Sequence, residues 1–110
     1  MATHAQCREA FDRLAQRMAT DTDPARREVD KSFSCQVTDL RADFHGRISH
    51  GAMVGLDDGA DPRADIKLDV TSDDLIALVD GRLNVAAAWA SGRLHIHASF
   101  RDLLRLRKLL

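Results

Sequence analysis

Long apolar runs are missing from this chain of 110 residues. Its longest stretch free of Asp, Glu, Lys and Arg covers residues 83–92, about half of the roughly 20 residues that a membrane-spanning helix needs. An excess of basic residues is missing too. The 16 Lys and Arg against 17 Asp and Glu leave a net charge of −1, which argues against a general nucleic-acid binder, since phosphates must be neutralised by cations. Cysteine is scarce: Cys7 and Cys35 lie 28 positions apart. A small secreted domain stapled by disulfides usually carries more, so both are expected as reduced thiols. The opening MATHAQCREAF lacks an apolar signal core, and a cytoplasmic location is the expectation. No GxSxG elbow and no Gly-rich phosphate cradle occur. What is there is 45% hydrophobic and 30% charged, the balance of an ordered domain, and residues 1–110 read as a single one.

Charge is distributed unevenly. Residues 39–80 carry a net −6 and residues 93–110 a net +4. A basic amphipathic end suits either an anionic surface or a solvated helix face.

Two periodicities divide the chain. Thr3 with Gln6 fits a capping box, and Cys7, Ala10, Phe11, Leu14 and Met18 then recur at helical spacing, predicting a helix over about residues 5–19. Pro24 ends it. From Lys31 the period is two. Phe33, Cys35 and Val37 form one apolar face, Phe44, Gly46 and Ile48 a second, and Ala52, Val54 and Leu56 a third. Gly51 and the Asp57-Asp58-Gly59, Asp61-Pro62 segment are turn chemistry, so these runs read as an antiparallel meander. Ala64, Ile66, Leu68 and Val70 make a fourth strand. Thr71 with Asp74 opens a helix that Gly81 stops, and Asn84 opens another that Gly92 stops. Leu94, Ile96 and Ala98 make a fifth strand, and a final helix is predicted over residues 99–110. Each strand has one apolar face, so the helices must cover a single side of the sheet. The fold class is α+β, not a doubly wound sheet.

Chemical candidates are few. Cys35 lies on an apolar strand face and Cys7 on the buried helical stripe, which favours inert packing over a reactive thiolate. His95-x-His97 is the sharpest metal candidate, because both rings project from one face of a strand. His45 has the right register for a third ligand but would stand roughly 14 Å away if two strands intervene, so no metal is expected. Asp57, Asp58 and Asp61 lack the spacing and closing Glu of a calcium loop. The segment Ala86-Ala87-Ala88-Trp89-Ala90 is more informative. Small residues let a helix sit close on a sheet or leave room beside it, and the residues alone leave both readings open. In the last segment Phe100, Leu103, Leu104, Leu106 and Leu110 share an arc opposite Arg101, Arg105 and Lys108. Such a helix serves as a lid, as a membrane contact, or as ordinary core cover.

Residues 63–110 resemble the lipid-binding domain of the sterol carrier protein two family. The resemblance is carried by Ala64-Asp65, Ser72-Asp73-Asp74-Leu75, Leu78 to Gly81, Trp89 where the family has Phe, and Gly92-Arg93-Leu94-His95-Ile96 with Arg for Lys. Residues 1–62 match only in the order of elements. Ala90 stands where Met is common, Ala98-Ser99 replace Gly-Asp, and the closing Lys-Leu-Leu is not the peroxisomal Ser-Lys-Leu. The resemblance implies a five-stranded sheet in the order 3-2-1-4-5, with helices on one face and an apolar tunnel between the layers. It implies a non-catalytic binding and carrier module for sterols, fatty acids or fatty acyl-CoA, without cofactor. Its lipid-binding walls would be Phe33, Phe44, Leu75, Val79, Val85, Ala86, Trp89, Phe100 and Leu103. Arg101, Arg105 and Lys108 would contact an anionic membrane surface. The alternative is an interaction or dimerisation module with a filled core, docking to a separate partner enzyme.

Overall fold

The computed structural model describes residues 1–20 and 30–98. The Thr20–Pro24 stop therefore lies partly outside the described residues, and the final helix lies wholly outside them. Helix α1 spans His4–Thr20. It starts where the capping box predicts: the Thr3 N–H donates to Gln6 Oε1 at 2.9 Å and the Gln6 N–H to Thr3 Oγ1 at 3.2 Å, satisfying two amides of the open first turn. Cys7, Ala10 and Phe11 are buried, and Leu14 and Met18 pack on the same core.

Three strands follow: β1 (Asp30–Val37), β2 (Ala42–Ser49) and β3 (Ala52–Asp58). β1 and β2 pair antiparallel from Asp30↔Ser49 to Val37↔Ala42. His50 and Gly51 join β2 to β3 with φ of 51° and 80°, the two-residue turn whose twist matches that of the flanking strands. β4 (Ile66–Val70) then pairs parallel with β1, from Phe33↔Ile66 to Val37↔Val70. Helix α2 (Ser72–Val79) and the short α3 (Val85–Ala90) precede β5 (His95–His97), which is antiparallel to β4. The sheet order is β3-β2-β1-β4-β5, the order the resemblance implies.

One face of the sheet holds the core. Cys35, Val37, Phe44, Ile48, Ile66 and Val70 project into it and meet Phe11, Leu75, Val79, Ala88 and Leu94. The Phe11 ring lies 6.0 Å from Phe33 and 5.2 Å from Phe44 between centroids. Phe44 is fully buried, a side chain whose removal from water contributes about 1.5–3 kcal/mol. The other face carries Gln36, His45, Arg47, Lys67, His95 and His97.

Strand β3 departs from its predicted alternation. Val54 pairs with the outward Arg47 and is exposed, while Met53 pairs with Ile48 and packs on the core. The register then shifts between His45 and Arg47. Gly55, at φ 65°, supplies the extra residue of a β-bulge, and that extra residue returns Leu56 to the inner side. Ala52-Val54-Leu56 is therefore not one apolar face.

Candidate functional site

The layer between sheet and helices is positioned by three polar ties, each made by a residue of the motifs that carry the resemblance. At the entry to β4, Asp65 Oδ2 accepts from the Ser32 N–H at 3.0 Å and hydroxyl at 3.1 Å, and the Asp65 N–H donates to Ser32 Oγ at 2.9 Å. These bonds, the backbone one foremost, hold the Asp65 carboxyl below the usual carboxylate range. At the start of α2, Asp39 takes the Ser72 N–H at 2.8 Å and the Ser72 hydroxyl at 2.6 Å, while Ser72 Oγ accepts the Ala2 N–H at 3.0 Å. Ser72 is fully buried, and its hydroxyl bond lowers the Asp39 carboxyl's proton affinity. Third, Arg93 grips Asp74 with both arms, Nη2–Oδ1 at 2.6 Å and Nε–Oδ2 at 3.3 Å. Hydrogen bonding to this carboxylate raises the guanidinium pKa further. The pair ties the first turn of α2 to the approach to β5.

The wall residues expected from the sequence divide into three groups. Phe33, Phe44, Leu75 and Val79 are brought together in one buried cluster, with Val85 half-buried against it. Ala86 is exposed, and Trp89 keeps 47% of its surface in solvent. On α3 only Ala88 is buried. Phe100 and Leu103 lie outside the described residues, as do Arg101, Arg105 and Lys108. Phe11 joins Phe33 and Phe44 at the centre of the layer. It was visible as part of the helical stripe but was not singled out as a wall.

A second feature was not singled out from the sequence. Where the last turns of α1 meet the end of α2, a cleft of about 490 Å³ is lined by Arg13, Gln16, Arg17, Thr20 and Asp80. Arg13 and Arg82 share the Asp80 carboxylate, at 3.2 and 3.4 Å, so one anion faces two cations. Arg17 donates to the Val79 carbonyl, a neutral partner. Among the described residues that line it, two are arginines and one is an aspartate. The i,i+4 spacing of Arg13 and Arg17 was the available signal.

Both thiols are free and buried. Burial, with Cys7 nearby, pushes the Cys35 thiol up to about 12. Among the described residues no three His, Cys, Asp or Glu side chains are gathered as a metal set. The register aligns His45, Ser34, Lys67 and His97 across four strands, the separation that removes His45 from the His95-x-His97 pair. Asp57, Asp58 and Asp61 serve as turn and ion-pair groups, with Asp58 accepting from His4 at 3.2 Å.

The sequence profile of the SCP-2 sterol transfer family matches residues 11–110. The chain belongs to that family. SCP-2 membership extends the resemblance, first carried by residues 63–110, back through β1–β3 and most of α1. Sterol carrier protein 2 like 2 from Aedes aegypti superposes with a TM-score of 0.71 at 15% identity, over 96% of this chain and 97% of that one. The Aedes aegypti sterol carrier protein 2 in complex with the fatty acid palmitate gives 0.68 at 20% identity, over 96% and 93%. The stereoselective inverting sec-alkylsulfatase from Pseudomonas sp. gives 0.73 at 26% identity and covers 91% of this chain. This SCP-2 chain spans 15% of that enzyme's length. Curated protein sequences give no match.

Proposed function

We propose that this chain is a non-catalytic, cytoplasmic binding and carrier module for sterols, fatty acids or fatty acyl-CoA, held in an apolar tunnel between the helices and the inner sheet face. The observation that carries the reading is the SCP-2 family match over residues 11–110. A family member of the same fold solved with palmitate supports it, as does the one-sided layering, which puts Phe33, Phe44, Leu75 and Val79 in a single apolar layer. The walls contribute shape and desolvation. Each acyl methylene buried adds about 0.8 kcal/mol, so a long chain reaches micromolar affinity after ordering costs are subtracted. Arg101, Arg105 and Lys108 would meet anionic headgroups on the donor or acceptor membrane.

The test is native mass spectrometry of the purified protein, followed by titration with palmitate and with cholesterol while Trp89 fluorescence is read. A co-purifying lipid and a saturable Trp89 response are expected. A folded sample that gives no saturable response to any of these lipids refutes the carrier reading. Charge reversal at Arg101, Arg105 and Lys108 should weaken binding to phosphatidylserine vesicles. Unchanged vesicle binding would remove the membrane contact alone.

A second reading is that the module docks to a separate enzyme. Its support is the 26% identity to a portion of the sec-alkylsulfatase chain. A filled interior with no ligand response would favour it.

A further inference from the structure

The His95-x-His97 pair on the open face of the sheet is not used by the carrier function, and the register places a carboxylate beside it. We propose that His95, His97 and Asp69 form a binding site for a divalent transition metal ion of the zinc(II) or nickel(II) class at the β4–β5 edge. Asp69↔His95 and Lys67↔His97 are directly opposed pairs, with Leu68↔Ile96 between them. Leu68 and Ile96 pack on the core, so the alternation puts Asp69, His95 and His97 together on the outer face. His97 Nε2 stands 3.5 Å from Asp69 Oδ2. Two ligands at 2.0–2.1 Å from a tetrahedral ion lie roughly 3.3 Å apart, so this pair is already close to the spacing of two metal ligands.

His95 supplies the third donor. It is exposed and directly opposes Asp69, at the separation of about 4.5–5.5 Å that cross-strand partners keep. The three groups are not gathered as a metal set among the described residues; the His95 ring would have to turn onto the ion as it binds, with water completing the shell. Two imidazoles and one carboxylate suit zinc(II) or nickel(II) better than magnesium or calcium, which prefer all-oxygen shells. Lys67, opposite His97, opposes the ion's charge and keeps affinity modest. β5 has only three residues, so the ion would clamp a short edge strand to its neighbour. This inference is independent of the carrier reading.

Isothermal titration of chelator-treated protein with zinc chloride tests it, paired with amide chemical-shift mapping. One ion per chain at submillimolar concentration is expected, with shifts concentrated in β4 and β5. His95→Gln and His97→Gln should each weaken binding about tenfold, Asp69→Asn should weaken it as well, and Lys67→Gln should tighten it. All four positions are on the solvent face, and circular dichroism of each variant confirms folding. Absence of saturable submillimolar binding overturns the proposal. So does binding that survives the His95→Gln, His97→Gln double variant, or a loss in His45→Gln as large as in His95→Gln.

Discussion

Gly46 sits on β2 with the Phe33 ring lying over it. A methyl group there would meet Phe33 Cε1 and Cζ at 3.0 Å and the Val54 carbonyl oxygen at 3.3 Å. Carbon atoms prefer about 3.5–4.0 Å, so the ring must retreat by about half an ångström. Phe11, stacked on Phe33 at 6.0 Å between centroids, blocks that retreat. Overpacking of this kind costs about 1–3 kcal/mol. Against it stands a gain of about 0.4–1 kcal/mol, because alanine has less freedom to lose on folding than glycine. Gly46→Ala should therefore destabilise by about 0.5–2 kcal/mol net. The sharper test is a double-mutant cycle with Phe33→Leu, which removes the two ring atoms concerned. The glycine entropy gain is common to both arms of the cycle and cancels. In the Phe33→Leu background, Gly46→Ala should become neutral or stabilising by up to about 1 kcal/mol. Urea unfolding of the four proteins, with slopes checked for constancy, measures this. Additivity within about 0.5 kcal/mol would show that the ring and the glycine do not interact, and the packing argument would fail.

Three further outcomes follow from the polar ties and the thiols. Ser72→Ala strands the Ala2 amide in the interior and should cost about 1–3 kcal/mol in urea unfolding; a loss under half that would mean Ala2 finds another acceptor. Because the folded Asp39 carboxyl is depressed, its stabilising contribution is present above the unfolded pKa near 3.8 and is lost as pH falls through the folded value. Asp39→Asn should therefore flatten the acid limb of the stability–pH curve, and an unchanged limb would contradict the tie. Cys35 runs the other way: the unfolded thiol ionises near 9.0 and the folded one near 12, so its contribution is intact below 9.0 and fades as pH rises between these values. At pH 8 a disulfide reagent should label both cysteines only as fast as the protein unfolds, and rapid labelling in native buffer would refute the burial.

Local chemistry was legible in the sequence, and cross-chain geometry was not. Thr3 with Gln6, Thr71 with Asp74 and Asn84 each cap a helix where their spacing predicts, because a cap involves residues three positions apart. Strand alternation at Phe33–Val37 and Ile66–Val70 survives because one face is covered and the other is wet. Val54 was misplaced because a bulge belongs to a strand pair, and the alternation within β3 carries no record of its partner's register. Ser34 falls on the polar register yet is buried, since the Asp61 amide reaches its hydroxyl from a loop 27 positions away. The Ser72–Asp39 tie spans 33 positions and has no periodic signature. Sheet order came from family resemblance, since apolar spacing does not say which strands are neighbours. Trp89 was read as a wall from the family resemblance, since its size and its alanine neighbours alone left both close packing and lining open. It stands on the exposed side of α3, with 47% of its surface in solvent.

The parallel β1–β4 pair has a consequence for biosynthesis. Phe33 and Ile66 are partners separated by 33 positions, so one flank of the central strand has no mate until the second half of the chain is made. At about 5–20 residues per second, that flank waits roughly 2–7 s in each round of translation. Chaperone capture of this protein should concentrate in that interval.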